Sequence, residues 1–495
     1  MTGKRIAGYG VRVFWRRSAG AGLVLAAAML SGCATTGHAH APATEAKAAP
    51  KPLPTGLDPW ATPDPFPSTY RPLASRPTAI VGAHVLTAAG QDYPRATVVM
   101  SEGRILAVGP DVTAPAGATI VDGTGKWVTP GVIDPHSHLG VYASPEVPAQ
   151  SDGNELTDPD TAQVWAEHSV WPQDPGFSRA LAGGVTTLQI LPGSGNLFGG
   201  RSVVLRPLIS TTVQAMKLPG APYGLKMACG ENPKRVYGEK GRAPSTLMGN
   251  VAGYRTAWIA ARDYLRKWDD YADKIKRGEK ADAPVRNLQL DTLAGVLRGE
   301  ILIQNHCYRS DEMAQMIDIS HEFGFHIAAF HHAVESYKVA PLLAREHICT
   351  DTWATWGQFK MEAIDAIEEN AALVDAAGAC VSMHSDDANL IQHLNAEAGI
   401  AMAAGRRAGL PISEGHAVEW FTANPAKSLG IFKQTGSLEL GKRADVVVWS
   451  ADPFSVYAIA DKVFIDGALA WDVHAAHPAP ASDFELGRPG AGGVL

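Results

Sequence analysis

The chemistry begins at TPGVIDPHSHLG, residues 129–140, where His136 and His138 stand two positions apart. Val132 and Ile133 favour a strand, and alternate side chains of a strand share a face, so both imidazoles converge on one point. That is metal-ligand geometry. Gly131 and Pro135 restrict the backbone around it, and Asp134 is placed to hold a ring nitrogen from behind. Spacing alone does not make a site, since His38 and His40 repeat it in a segment without strand character. The company of the first pair is what counts. His306 ends the apolar run EILIQNH, His332 ends FHIAAFHH, Asp386 ends CVSMHSD, and both Lys226 and Glu231 lie in GLKMACGENP. Imidazoles and carboxylates without a thiolate cluster suit a divalent ion, Zn first, with Mn, Fe or Co as alternatives.

Residues of this kind are brought together when strands end side by side, and the chain offers such strands. From 131 to about 435, strand-like runs alternate with helical patterns, as a parallel (β/α)8 barrel requires: GVIDPHSHL, GVTTLQILP, SVVLRPL, YGLKMACGE, EILIQNHC, FHIAAFHH, a weak run at HICTD, and CVSMHSDD. In such barrels chemistry sits at the C-terminal strand ends. A charged helical insertion at 233–291 separates the fourth and fifth runs. Its polar face predicts a solvated helix, and its position makes it a candidate lid. Residues 78–130 and 436–475 are β-rich with Gly-rich turns, and neither piece has enough strands to close a sandwich by itself. Residues 476–495 read as a flexible tail.

The length of 495 residues suits two or three folding units, and 46% hydrophobic with 19% charged residues is ordinary for a globular enzyme. Net charge is −7 with Lys and Arg scattered, which argues against nucleic acid as a partner. Residues 1–33 have a basic start, a short apolar run and the ending LSGC, the pattern of an export signal. LSGC resembles the bacterial lipobox, which implies lipidation of Cys33 and anchoring in the cell envelope by lipid alone, on the periplasmic side and at the outer membrane because Ala34 follows. Residues 34–77, rich in Ala and Pro, are expected to act as a tether. Cys229, Cys307, Cys349 and Cys380 lie in or beside apolar runs without C-x-x-C spacing, which predicts small core fillers, with a disulfide left open by the oxidising compartment.

The string Pro-Gly-Val-Ile-Asp-Pro-His-Ser-His, with GKRADVVVW near the C-terminus, resembles the amidohydrolase superfamily and within it the imidazolonepropionase-like branch that includes Xaa-Pro dipeptidases. The resemblance implies a (β/α)8 barrel beside a small β-sandwich built from both chain ends. It also implies one or two divalent ions held by His136, His138, His306, His332 and Asp386. His332 is preferred over His331 because HAVESYK resembles the family's His-Gly-x-Glu-x-Tyr-Lys. His384 is expected to be a neighbour only. A bridging group is implied on the fourth strand: Lys226, if carboxylated, or Glu231 in its place, with Lys226 preferred because a buried ammonium is costly unless neutralised. The implied reaction is cleavage of a C–N bond in an amide, dipeptide or cyclic amide by metal-activated water, with Asp386 as general base. Arg235, Arg242 and Tyr337 are candidates for binding the small-molecule substrate. Deamination of an aminated heterocycle and a non-catalytic binding lipoprotein are the other readings. Homo-oligomerisation is left open.

Overall fold

The computed structural model describes residues 52–475, apart from 63 and 145. The export signal with Cys33, the His38/His40 pair and the tail from 476 lie outside the described residues. Five strands precede the barrel: β1 (Thr78–Leu86), β2 (Asp92–Ser101), β3 (Arg104–Gly109), β4 (Thr119–Asp122) and β5 (Trp127–Pro130). The barrel strands are β6 (Val132–Ser137), β7 (Val185–Ile190), β8 (Phe198–Leu205), β9 (Gly224–Ala228), β10 (Leu302–Cys307), β11 (Ile327–His332), β12 (Cys349–Thr352) and β13 (Val381–Met383). Three more follow: β14 (Val446–Trp449), β15 (Ala460–Ile465) and β16 (Ala468–Asp472).

Strands β6 to β13 pair in sequence order. The ring is nearly closed by the Asp386 amide, which donates to the His136 carbonyl at 2.9 Å, and by the Ser385 amide on the Asp134 carboxylate at 3.1 Å. One strand departs from the expected all-parallel barrel: β8 runs antiparallel to both β7 and β9. The reason is the length of its connection. Only residues 191–197 join β7 to β8, which suffices for a hairpin, whereas a parallel crossover needs a dozen residues or more.

The insertion packs on the barrel. Its main helix, Leu247–Lys276, buries Tyr254, Trp258, Ala261, Tyr264 and Trp268. Trp258 packs against Phe198 and Phe325 with ring centroids 5.5 and 4.4 Å away. A buried stripe at helical spacing makes this a wall helix of the barrel.

Hydrogen bonds join the two β-rich chain ends, expected to form a small β-sandwich, into a continuous sheet in the order β16-β15-β14-β5-β1-β2-β3, with β4 on β1. The seam is the antiparallel pairing of β14 with β5. The run VVVW explains why β14 sits there. Val446 and Val448 point into the core of this sheet, while Val447 and Trp449 point into the barrel's core, so a strand buried on both faces reads as continuously apolar. Residues of the expected tether also dock: Thr69 donates to the Gln214 carbonyl at 2.9 Å, and the Tyr70 hydroxyl to Asp466 at 2.8 Å.

Candidate active site

Seven titratable side chains meet at the C-terminal rim of the barrel. His136 and His138 converge on one oxygen of Asp386, their Nε2 atoms 3.3 and 3.1 Å from it. His138 is aimed by its Nδ1, 2.8 Å from the Leu191 carbonyl, which leaves Nε2 facing the cluster. Lys226 enters from β9 with Nζ 3.1 Å from His136 Nε2. His306 and His332 stand at the ends of neighbouring strands with ring centroids 4.5 Å apart, and His136 lies 4.9 Å from His332. Two sets, His136 with His138 and Asp386, and His136 with His332 and His384, bring their ligand atoms within 4.8 Å of one another.

The donor set fits a divalent cation. Both ring nitrogens of His306 and the Nδ1 atoms of His332 and His384 are buried with no hydrogen-bond partner among the described residues. Buried polar atoms are normally paired, so such orphans need a reason. Burial, reinforced by Lys226 and neighbouring rings, holds His136, His306 and His332 well below the ordinary imidazole value, so they are neutral and each keeps a ring lone pair. Burial pushes the Lys226 amine down to about 8, against the pull of Asp386. For Asp386 burial acts upward, but the hydrogen bond and charge of His138, with His384 and Lys226, outweigh it and keep the carboxyl below its ordinary value.

The backbone at the rim is unusual. His332 and Asp386 have φ of +68° and +57°, a left-handed conformation that costs a non-glycine residue of order 1–3 kcal/mol and clusters at functional sites. The His332 ring is fixed between Trp353, stacked at 4.5 Å, and Tyr308 at 5.0 Å.

Several sequence expectations change here. Asp134 does not hold the His136 ring; it accepts the His136 amide at 3.1 Å and the Ser385 hydroxyl at 2.5 Å, so it ties β6 to β13. The ring is instead met by His331, Nδ1 to Nδ1 at 3.0 Å, and His331 is itself held by Gln304 at 2.7 Å. His331 therefore backs the cluster, and His332 fronts it. His384, expected as a neighbour, lies with His136 and His332 in one group whose ring nitrogens are close enough to share an ion; its place on the same strand face as Asp386 is the sequence signal for that closeness. Glu231 faces Lys360 at 3.5 Å, so of the two bridging candidates only Lys226 touches the histidines. Arg235 is exposed. Tyr337 turns its hydroxyl to the Asp365 carbonyl at 3.2 Å, and Arg242 pairs with Asp158 at 2.8 Å. The structure does not bring these three into the cluster.

The four core-filler cysteines are paired: Cys229 with Cys307, and Cys349 with Cys380. The first bond joins the ends of β9 and β10 directly beside His306, a residue pairing that only strand adjacency reveals.

The amidohydrolase family matches residues 127–470. A solved amidohydrolase from Thermotoga maritima is 34% identical, with a TM-score of 0.72 over 80% of this chain and 100% of its own. Amidohydrolase tasK of Hapsidospora irregularis is 32% identical over 73% of this chain, and the chain spans only 38% of that relative's length. A 5-methylthioadenosine/S-adenosylhomocysteine deaminase of Desulforudis audaxviator is 24% identical over 75% of this chain and 84% of its own. With matched strand ends carrying the histidines, lysine and aspartate described above, the chain belongs to the amidohydrolase family.

Proposed function

We propose that the chain is a metal-dependent hydrolase that cleaves the C–N bond of an amide, dipeptide or cyclic amide in a small molecule. The observation that carries this reading is the convergence of His136, His138 and Asp386 beside Lys226, with the unpartnered nitrogens of His306, His332 and His384 opposite. These side chains would hold one ion or two, Zn by preference. Such an ion supplies Lewis acidity toward the scissile carbonyl and acidifies water toward neutral pH. Asp386, low in pKa and a quarter exposed, takes the proton of the attacking water and returns it to the leaving nitrogen. His138 steadies Asp386 during that transfer. Lys226, fully buried and with a weakened hold on its proton, is suited to carboxylation, which would turn it from a repelling cation into an oxygen donor.

Deamination of an aminated heterocycle is the second reading, favoured by the deaminase name of one relative. Both reactions release nitrogen from carbon, and the products separate them. Protein purified from residue 34 onward is assayed for bound metal, then against N-acyl amino acids, dipeptides and aminated purines. Cleavage that persists after chelation and dialysis rules out the mechanism, and ammonia release from purines alone selects the second reading.

We also propose export and lipid anchoring through Cys33. Two disulfides support an oxidising compartment, since such bonds are rare in the cytosol. Labelling with a fatty-acid analogue that is lost in Cys33→Ala tests it.

A further inference from the structure

A second cavity lies at the other end of the barrel strands from the histidine cluster. Its lining includes Tyr223, which leads into β9, and Ile301, which leads into β10, whereas Lys226 and His306 stand further along those strands. The cavity measures about 610 Å³ and is walled on its outer side by Pro59, Trp60, Thr62, Asp64, Pro65 and Pro67 of the docked N-terminal segment.

Four cations line it: Arg201, Lys217, Arg286 and Arg298. Three of them are paired. Lys217 reaches Glu167 at 2.8 Å and Asp64 at 3.1 Å, Arg286 reaches Asp291 at 2.8 Å, and Arg298 reaches Glu300 at 2.8 Å. Arg201 differs. It is 8% exposed, lies over the Trp165 ring at 4.1 Å, and donates through Nε to the Thr292 hydroxyl at 2.8 Å. Its two terminal nitrogens have no hydrogen-bond partner and no carboxylate within ion-pair distance among the described residues. Asp291 and Glu167 act on its charge only from beyond ion-pair distance, so the fork itself is left open toward the cavity. The fork matches a carboxylate held through two parallel bonds, and stacking on Trp165 leaves that edge free.

The rest of the wall says what such an anion carries. Trp60, Pro65, Pro219 and Pro222 line the same space, an apolar surface that offers little to a fully hydrated ion such as phosphate. We propose that this cavity binds a small organic carboxylate, with its charged end on Arg201 and its apolar body against Trp60 and the prolines.

The test uses the full chain with its metal and sodium benzoate as probe, followed by calorimetry and thermal unfolding. Wild type is expected to bind benzoate, and Arg201→Met to weaken that binding about tenfold or more, the scale of hydrogen bonds to a charged group. Equal stabilisation of both proteins by benzoate overturns the proposal, since the carboxylate would then sit at the histidine cluster. Inorganic phosphate competing as strongly as benzoate overturns the assigned class. Should Arg201→Met not fold, Trp60→Ala on the outer wall replaces it, and an unchanged benzoate affinity in that variant overturns the proposal too.

Discussion

Burial keeps His136, His306 and His332 neutral while the neighbours of Asp386 keep it ionised, so the rim sets imidazole lone pairs and one carboxylate beside the Lys226 amine. Removing the base should therefore cost rate more than structure. Asp386→Asn is expected to lower kcat by about 10²–10⁴ fold, with the thermal unfolding curve little changed. His306→Ala removes a ring whose two nitrogens have no other partner, so the bound metal measured after dialysis should fall with activity. Retention of both would remove His306 from the site. A third residue governs pH dependence away from the rim. Glu312 is buried with Oε2 unpartnered, and burial, then Glu362, raises its carboxyl from 4.5 to about 7. A raised carboxyl stabilises the fold below its unfolded value and loses that contribution as pH rises through the folded one. Stability should fall between pH 4.5 and 7, by at most about 1.4 kcal/mol per unit, and Glu312→Gln should flatten that part of the profile in urea titrations.

At the scale of elements, Cys349 and Cys380 fasten β12 to the start of β13 across 31 residues. Replacing both by Ala is expected to cost about 2–4 kcal/mol, seen as a lower melting temperature that reductant no longer shifts by the same amount. Seven of the eight barrel strands were legible as short apolar runs, several of them ending in a chemistry-bearing residue, whereas the run at HICTD, which forms β12, was weak. The direction of β8 was hidden, because it depends on a seven-residue connection and SVVLRPL is apolar in either direction. The disulfides were hidden for a related reason: Cys229 and Cys307 are 78 residues apart and meet only because β9 and β10 are neighbours. His136 and His138 were readable from their spacing and Asp386 from its place at the end of an apolar run, whereas the turning away of Tyr337 and Arg242 reflects surface partners, Asp365 and Asp158, that no local pattern reports.

At the scale of the molecule, the barrel and the sheet made from both chain ends are locked by one buried cation. Arg206 follows β8 and is fully buried. Its Nη1 reaches Asp445 at 2.8 Å, the Thr187 hydroxyl at 2.8 Å and the Thr186 carbonyl at 3.0 Å, and Nη2 lies 3.7 Å from Asp466. Asp466 is also held by Tyr70 from the N-terminal segment and by Arg443 at 2.7 Å. The network thus joins β7, the turn between β15 and β16, and residue 70 in one place, so separating the two layers leaves charges stranded. Arg206→Met should destabilise by about 3–5 kcal/mol, chiefly through the unpaired Asp445 left behind. If that is the cause, Asp445→Asn in the same chain should recover part of the loss, and the two substitutions should be non-additive in urea unfolding. Simple additivity would mean that Arg206 acts by packing its stem, and that the layers are held by the β5–β14 seam and its apolar residues alone.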